Sequence, residues 1–253
     1  MRVFAVPNLP EISEGDDIAT LIENETTLEH GDIVLIASTI VSKAEGRSYD
    51  LADFSPGPRA REIANRLEEI SGDQKDPRFA QAVLEESTDI LMEAPFLLTE
   101  TRFGHIGVNA GIDRSNTGNA ELLLLPKQPS NSAARIRDRL SKDVPVIITD
   151  TSGRPFRHGQ RGVAIGWDGM PASRDWRGEI DRDGYELEVT VENVIDELAA
   201  TANLVSGEGK DGTPVVIVRN WDFGDHDGSQ NLYREIAGDF IRQALREWEY
   251  ELE

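Results

Sequence analysis

Short apolar runs rich in β-branched residues recur along this chain and predict strands at residues 3–6, 33–37, 96–99, 105–108, 144–150, 163–165, 187–191 and 215–218. Between them, apolar residues fall at helical spacing over 16–22, 59–70, 79–87, 131–140, 194–204 and 232–248. Pro58 and Pro77 stand at the start of two of these helices, where a missing backbone N–H removes no hydrogen bond. Ser38 and Thr39 are expected to close the second strand, and residues 47–57 and 117–130, which hold neither period, predict loops. Strands and helices mix irregularly, without strict alternation and without a repeat of solenoid length. The pattern therefore predicts an α+β fold of mixed sheets with packed helices. It is expected as one unit over residues 1–253, with room for two closely packed subdomains.

Candidate chemistry clusters at the ends of the apolar runs. Val144-Pro145-Val146-Ile147-Ile148-Thr149-Asp150-Thr151 is followed by Ser152-Gly153, the expected exit turn. A carboxylate and a hydroxyl at the mouth of a buried strand suit a hard divalent cation, which prefers oxygen ligands. Arg154, Arg157, His158 and Arg161 just beyond suit an anionic ligand. Gly111-Ile112-Asp113-Arg114-Ser115-Asn116 places a second carboxylate and an amide after another apolar stretch. Both segments also fit ordinary Asx turns. If Asp113 and Asp150 converge they would hold one cation, and Thr151 with Glu208 a second. Paired cations about 3.5–4 Å apart are a recurrent device of phosphoryl transfer.

Gly207-Glu208-Gly209-Lys210-Asp211-Gly212 has the G-x-G-x-x-G spacing. A dinucleotide fingerprint must follow a strand and open a helix. Here a predicted helix precedes and a predicted strand follows, so the Rossmann reading fails. What remains is a loop whose backbone N–H groups suit phosphate, or a plain helix end and turn. Ser38-Thr39 with Lys43 suits phosphate too, although Ser/Thr at element ends and snorkelling Lys are common. His105 and His158 lack the pairing that a zinc site needs.

Composition narrows the class. Acids outnumber bases 47 to 26, for a net charge of −21, and only five of the bases are Lys. Spread along the whole chain, this charge predicts a protein of a molar-salt cytosol, where screening offsets self-repulsion; we infer a halophile, expected to be an archaeon. It argues against nucleic acid as a partner. No run is long enough to span a membrane, and the start, Met1-Arg2-Val3-Phe4-Ala5-Val6-Pro7, lacks a signal-peptide core. The absence of Cys excludes disulfides and thiolate sites. A cytoplasmic setting is expected.

Seven segments stand in a telling order: Val41-Ser42-Lys43-Ala44-Glu45-Gly46, Ala82-Val83-Leu84-Glu85-Glu86-Ser87, Val108-Asn109-Ala110-Gly111-Ile112-Asp113, Ile148-Thr149-Asp150-Thr151, Glu186-Leu187-Glu188-Val189-Thr190-Val191-Glu192, Ala202-Asn203-Leu204 and the glycine loop. The set covers nearly the whole chain and resembles the archaeal coenzyme F420-0:L-glutamate ligase family. The resemblance implies a GTP-dependent enzyme that joins L-glutamate to coenzyme F420-0, with further γ-glutamyl additions, through an acyl phosphate and an amide bond. It also implies an intertwined homodimer of unusual α+β fold that requires two divalent cations, Mn²⁺ or Mg²⁺, with K⁺ assisting.

Carried over by position, the metal ligands are Asp113 and Asp150 for one ion, and Thr151 and Glu208 for the other. The guanine nucleotide contacts are Pro7, Asn8, Leu9, Pro10, Ser38, Thr39, Lys43, Asn116, Ser206, Gly207, Glu208, Gly209, Lys210, Asp211, Gly212 and Thr213. Asp113, Asp150 and Arg157 are the catalytic candidates, with Arg154, Arg157 and Arg161 assigned to the carboxylates of coenzyme or glutamate. A two-metal nucleotide phosphohydrolase and a non-catalytic nucleotide-binding regulatory module remain open on the same residues.

Overall fold

The structure, a computed structural model, describes residues 1–209, 212–248 and 250. Along the chain run β1 (Arg2–Ala5), α1 (Ile18–Glu25), β2 (Ile33–Ala37), α2 (Ser38–Ala44) and β3 (Ser48–Tyr49). Next come α3 (Pro58–Ser71), α4 (Pro77–Glu86), β4 (Ser87–Met92), β5 (Leu98–Thr101), β6 (Ile106–Val108) and β7 (Leu122–Leu123). Then follow α5 (Pro129–Arg137), β8 (Val146–Arg154), β9 (Arg157–Asp168), β10 (Ser173–Asp175) and β11 (Val191–Glu192). The last are α6 (Val194–Ser206), β12 (Val215–Arg219), β13 (Gly228–Ser229) and α7 (Phe240–Glu247). The mixture of helices and sheets is the α+β class that the pattern predicts. Two compact units form: residues 1–44 with 128–232, and residues 45–127 with 233–253. Among the described residues no helix is long and apolar enough to cross a membrane.

The first unit is built on a five-stranded sheet of order β1-β12-β2-β8-β9. β2 and β8 run parallel, and the other neighbours are antiparallel. Ile33, Leu35, Ile147, Val216 and Val218 pack with Val194, Ile195, Leu198, Ala199 and Ala202 of α6 on one face. Val34, Ile36, Val146, Ile148, Val215 and Ile217 alternate with them, point to the other face, and are equally buried. α5 packs on β8 and β9. Strands covered on both faces need apolar residues at every position, so these read as continuous runs. Asp17 caps α1 by accepting from the Ala19 N–H at 3.2 Å, and Asn193 caps α6 by accepting from that of Asp196 at 3.4 Å.

Three expectations in this unit fail for local reasons. Ser152-Gly153 is no exit turn: β8 continues to Arg154 and reverses at Pro155-Phe156, where Phe156 takes φ +66°. The polar stretch stays extended because β9 pairs with it from Asp150 opposite Val163 to Arg154 opposite Arg157. Ser38 and Thr39 do not close β2 but begin α2. The strand expected at 187–191 shrinks to Val191–Glu192, since its partner β10 has only three residues.

The second unit holds a sheet of order β4-β5-β6 and the pair β3-β7. Ile63, Ala80, Val83, Leu97, Ile112, Leu122 and Leu124 are central to its core. β4 is absent from the sequence expectation because the helical pattern of 79–87 runs straight into it. The long helix expected over 232–248 is α7 alone, preceded by a short 3-10 turn at Ile236–Gly238. α7 docks by its polar side. Buried Arg242 bonds Glu100 and Asp89 at 3.1 Å each, and Arg246 bonds Asp89 at 2.6 Å, while Phe240 and Ile241 remain 77% and 62% exposed.

His105 is buried here, its N–H and carbonyl both bonded to the Thr101 hydroxyl. Burial disfavours the imidazolium and lowers its pKa from 6.5 to about 4. Between these values the unfolded chain binds the extra proton and the folded one does not, so stability rises with pH across that window. We expect up to about 3 kcal/mol to be lost as pH falls from 6.5 toward 4. Denaturant melts of the wild type and of His105→Gln check this. The variant should lack that part of the pH slope, and an unchanged slope would count against it.

Candidate functional site

Sheet topology gathers four of the sequence-selected segments at one end of the first unit. β2 and β8 are parallel, with Ala37 opposite Thr149, so Ser38, just past the end of β2, stands beside Asp150 of β8, which runs on to Arg154. β12 runs the other way and therefore starts there: the Ala37 N–H donates to the Pro214 carbonyl at 2.8 Å. β1, antiparallel to β12, ends there, its Val6 N–H donating to the Val215 carbonyl at 2.9 Å. Residues 7–10, 38–39, 150–151, 206–209 and 212–213 thus flank one edge. It spans about 14 Å from β1 to β8 at the usual strand spacing.

At the centre of that edge Ser38, buried, points its hydroxyl at Asp150, with Oγ 3.5 Å from Oδ1. Asp150 and Thr151 are half-buried, and Thr151 faces Gly162 across the β8–β9 ladder. Thr39 lies in the first turn of α2, and Lys43 in its last turn pairs with Glu11. Pro7, Asn8 and Pro10 are exposed, Leu9 is half-buried, and Asn8 takes φ +55°.

The glycine loop follows α6 and precedes β12, the order that excludes a Rossmann turn. Gly207 (φ +68°) caps α6 and Gly212 (φ +61°) turns the chain toward β12. The Thr213 hydroxyl donates to the Ser206 carbonyl at 3.0 Å and closes the loop. Gly209 is exposed; exposed Glu208 is held through Oε1 by the Asn203 side-chain amide at 2.7 Å. Lys210 and Asp211 lie outside the described residues.

The remaining candidates sit elsewhere. Arg154 and Arg157 face each other at the tip of the β8–β9 hairpin beside fully exposed Phe156. Exposed His158 follows them, and Arg161 lies 3.7 Å from Asp196. Asp113 and Asn116 belong to the second unit. There Asp113 bridges Leu123 through its backbone and accepts the Ser115 hydroxyl at 2.9 Å, an Asx-type turn, and Asn116 is exposed at φ +53°.

Asp150, Thr151, Ser38 and Glu208 are all oxygen donors, the set a hard cation prefers. Among the described residues no three acids or histidines group together.

The model of the family described as F420-0:Gamma-glutamyl ligase matches residues 7–220. The chain belongs to the F420-0:gamma-glutamyl ligase family. The match takes in every segment at the sheet edge, along with Asp113 and Asn116. This chain is similar to a coenzyme F420:L-glutamate ligase of Halobacterium salinarum, 69% identical over 251 residues that cover 99% of each chain. A coenzyme F420:L-glutamate ligase of Halorubrum lacusprofundi is 66% identical, over 99% of this chain and 100% of its own. One of Natronomonas pharaonis is 63% identical, over 99% and 98%. The organisms fit the halophilic archaeon expected from the charge, and the family is one of amide-forming ligases.

Two residues that sequence reasoning left without a role join this site. Asn203 appeared only inside a family-like segment, and Gly162 in none of the predicted elements. The signal that could have found Asn203 is an amide one turn before a glycine that caps a helix.

Proposed function

We propose that this chain joins L-glutamate to coenzyme F420-0 by an amide bond at the expense of GTP, and adds further γ-glutamyl units. The observation that carries the reading is the convergence of the family-matching segments on one sheet edge. A free carboxylate does not condense with an amine unaided. Its oxygen therefore attacks the γ-phosphorus of GTP, GDP leaves, and an acyl phosphate forms. The glutamate amine then attacks the acyl carbon, loses a proton, and expels phosphate.

The loop N–H groups of 208–209 and 212–213 would face the nucleotide phosphates, with Ser38, Thr39, Lys43 and residues 7–10 completing its site. Asp150, Thr151 and Glu208 would hold divalent cations, Mn²⁺ or Mg²⁺, which with K⁺ would offset the phosphate charge. Arg157, with Arg154 and Arg161, binds the carboxylates of coenzyme or glutamate. We also propose a cytoplasmic homodimer. Its support is the apolar surface left open on α7 at Phe240 and Ile241.

Phosphate release from GTP with Mn²⁺ tests the reading. Release should require coenzyme F420-0 and glutamate together. Release with neither present would mark a phosphohydrolase, and binding without release a regulatory module. In the same assay Arg157→Ala should raise KM for coenzyme or glutamate by about tenfold, the loss of one charge-assisted hydrogen bond, and leave KM for GTP alone. Unchanged values for both acidic substrates would remove Arg157 from the site.

A further inference from the structure

Asn203 occupies the last turn of α6, and two close approaches fix it. The first is to the sheet. Gly162 pairs with Thr151, and a Cβ built on Gly162 would lie 2.4 Å from the Ala199 carbonyl oxygen and 2.9 Å from Asn203 Cβ. No side chain fits between helix and strand there, so the end of α6 rests directly on the Thr151–Gly162 rung. The second approach is to the loop. The Asn203 carbonyl accepts from the Gly207 N–H at 2.9 Å, and the turn at Gly207 folds the chain back so that Asn203 Nδ2 reaches Glu208 Oε1 at 2.7 Å.

Glu208 lies in an exposed loop between Gly207 and Gly209, where an unanchored carboxylate samples many rotamers. A carboxylate has about four lone-pair sites, and one amide donor occupies a single one of them. The bond from Asn203 therefore restricts Glu208 without blocking it. We propose that Asn203 is a positioning residue. It holds Glu208 against the helix turn that sits on the Thr151 rung, so that both proposed ligands of the second cation belong to one rigid assembly. This rests on the reading of Glu208 as a ligand. Partners that orient a ligand carboxylate commonly change metal affinity by 10–100-fold.

The test measures Mn²⁺ binding directly, by the electron paramagnetic resonance signal of the free ion, with a non-hydrolysable GTP analogue present. The Mn²⁺ dependence of turnover is followed in parallel. Asn203→Ala should weaken one of the bound ions by roughly tenfold and raise the Mn²⁺ needed for half activity to match, with kcat restored within about twofold at saturating Mn²⁺. Asn203→Leu keeps a side chain packed on Gly162 but donates nothing, and should behave alike. Added to Glu208→Gln, neither change should weaken Mn²⁺ further. Unchanged Mn²⁺ binding in Asn203→Ala, or a loss of kcat that saturating Mn²⁺ does not restore, would overturn the proposal. So would an undiminished effect in the Glu208→Gln background. If Glu208→Gln itself binds Mn²⁺ as the wild type does, the ligand reading fails, and that result is read from a different variant.

Discussion

Asp150→Ala should lower turnover by on the order of a thousandfold while leaving the protein folded. The carboxylate lies half-buried on β8 beside the end of β2, against the buried Ser38 hydroxyl. A charged ligand that anchors a cation at a phosphoryl-transfer centre supplies several kcal/mol of transition-state stabilisation, and each 1.36 kcal/mol is tenfold in rate. The strand survives the change because β8 is held there by its backbone ladders, with Thr149 opposite Ala37 on one side and Asp150 opposite Val163 on the other. Thermal melts should therefore move little, by less than about 1 kcal/mol. Asp150→Asn keeps the shape and an acceptor for Ser38 but removes the charge, and should be nearly as inactive. A fully active Asp150→Ala enzyme would end the metal-ligand reading of this position.

The strands of the first unit were legible because their chemistry is local. A segment covered on both faces must be apolar throughout, and β2, β8 and β12 are. Their order was not legible. β1 pairs with β12, more than two hundred residues away, and only that pairing brings Pro7-Asn8-Leu9-Pro10 to the edge where Ser38 and the glycine loop already stand. The exit turn at Ser152-Gly153 was misplaced because turn chemistry is read from a few residues. The stretch is held extended instead by Arg157-His158-Gly159-Gln160-Arg161, which shows no strand pattern of its own. α7 misled in another way. Its amphipathic spacing suggests an apolar face against the core, but Arg242 docks the helix through Glu100 and Asp89. Among the candidate ligands, the glycine loop was readable from element order alone, whereas the tie from Asn203 to Glu208 depends on a helix reversal that spacing does not encode.

A close approach of helix to sheet carries the second large prediction. Gly162→Ala normally offers a small gain, about 0.4–1 kcal/mol, by restricting the unfolded chain. Here the new methyl would sit 2.4 Å from the Ala199 carbonyl oxygen, a backbone atom that no rotamer change can move aside. Relief requires α6 to back away, and α6 also packs on β1, β2, β8 and β12, so the displacement spreads through the core of the unit. Overpacking of this kind costs about 1–3 kcal/mol and outweighs the entropic gain. In a chain of this size that lowers Tm by roughly 2–10 °C. Gly153, at the far end of β8, provides the control, since a Cβ there meets nothing within 4 Å. Gly153→Ala should melt within about 2 °C of wild type. Because the same displacement carries Asn203 and Glu208 away from Thr151, Gly162→Ala should also need more Mn²⁺ for half-maximal turnover, well below its melting temperature. If Gly162→Ala melts and turns over like wild type, α6 does not rest on the Thr151–Gly162 rung.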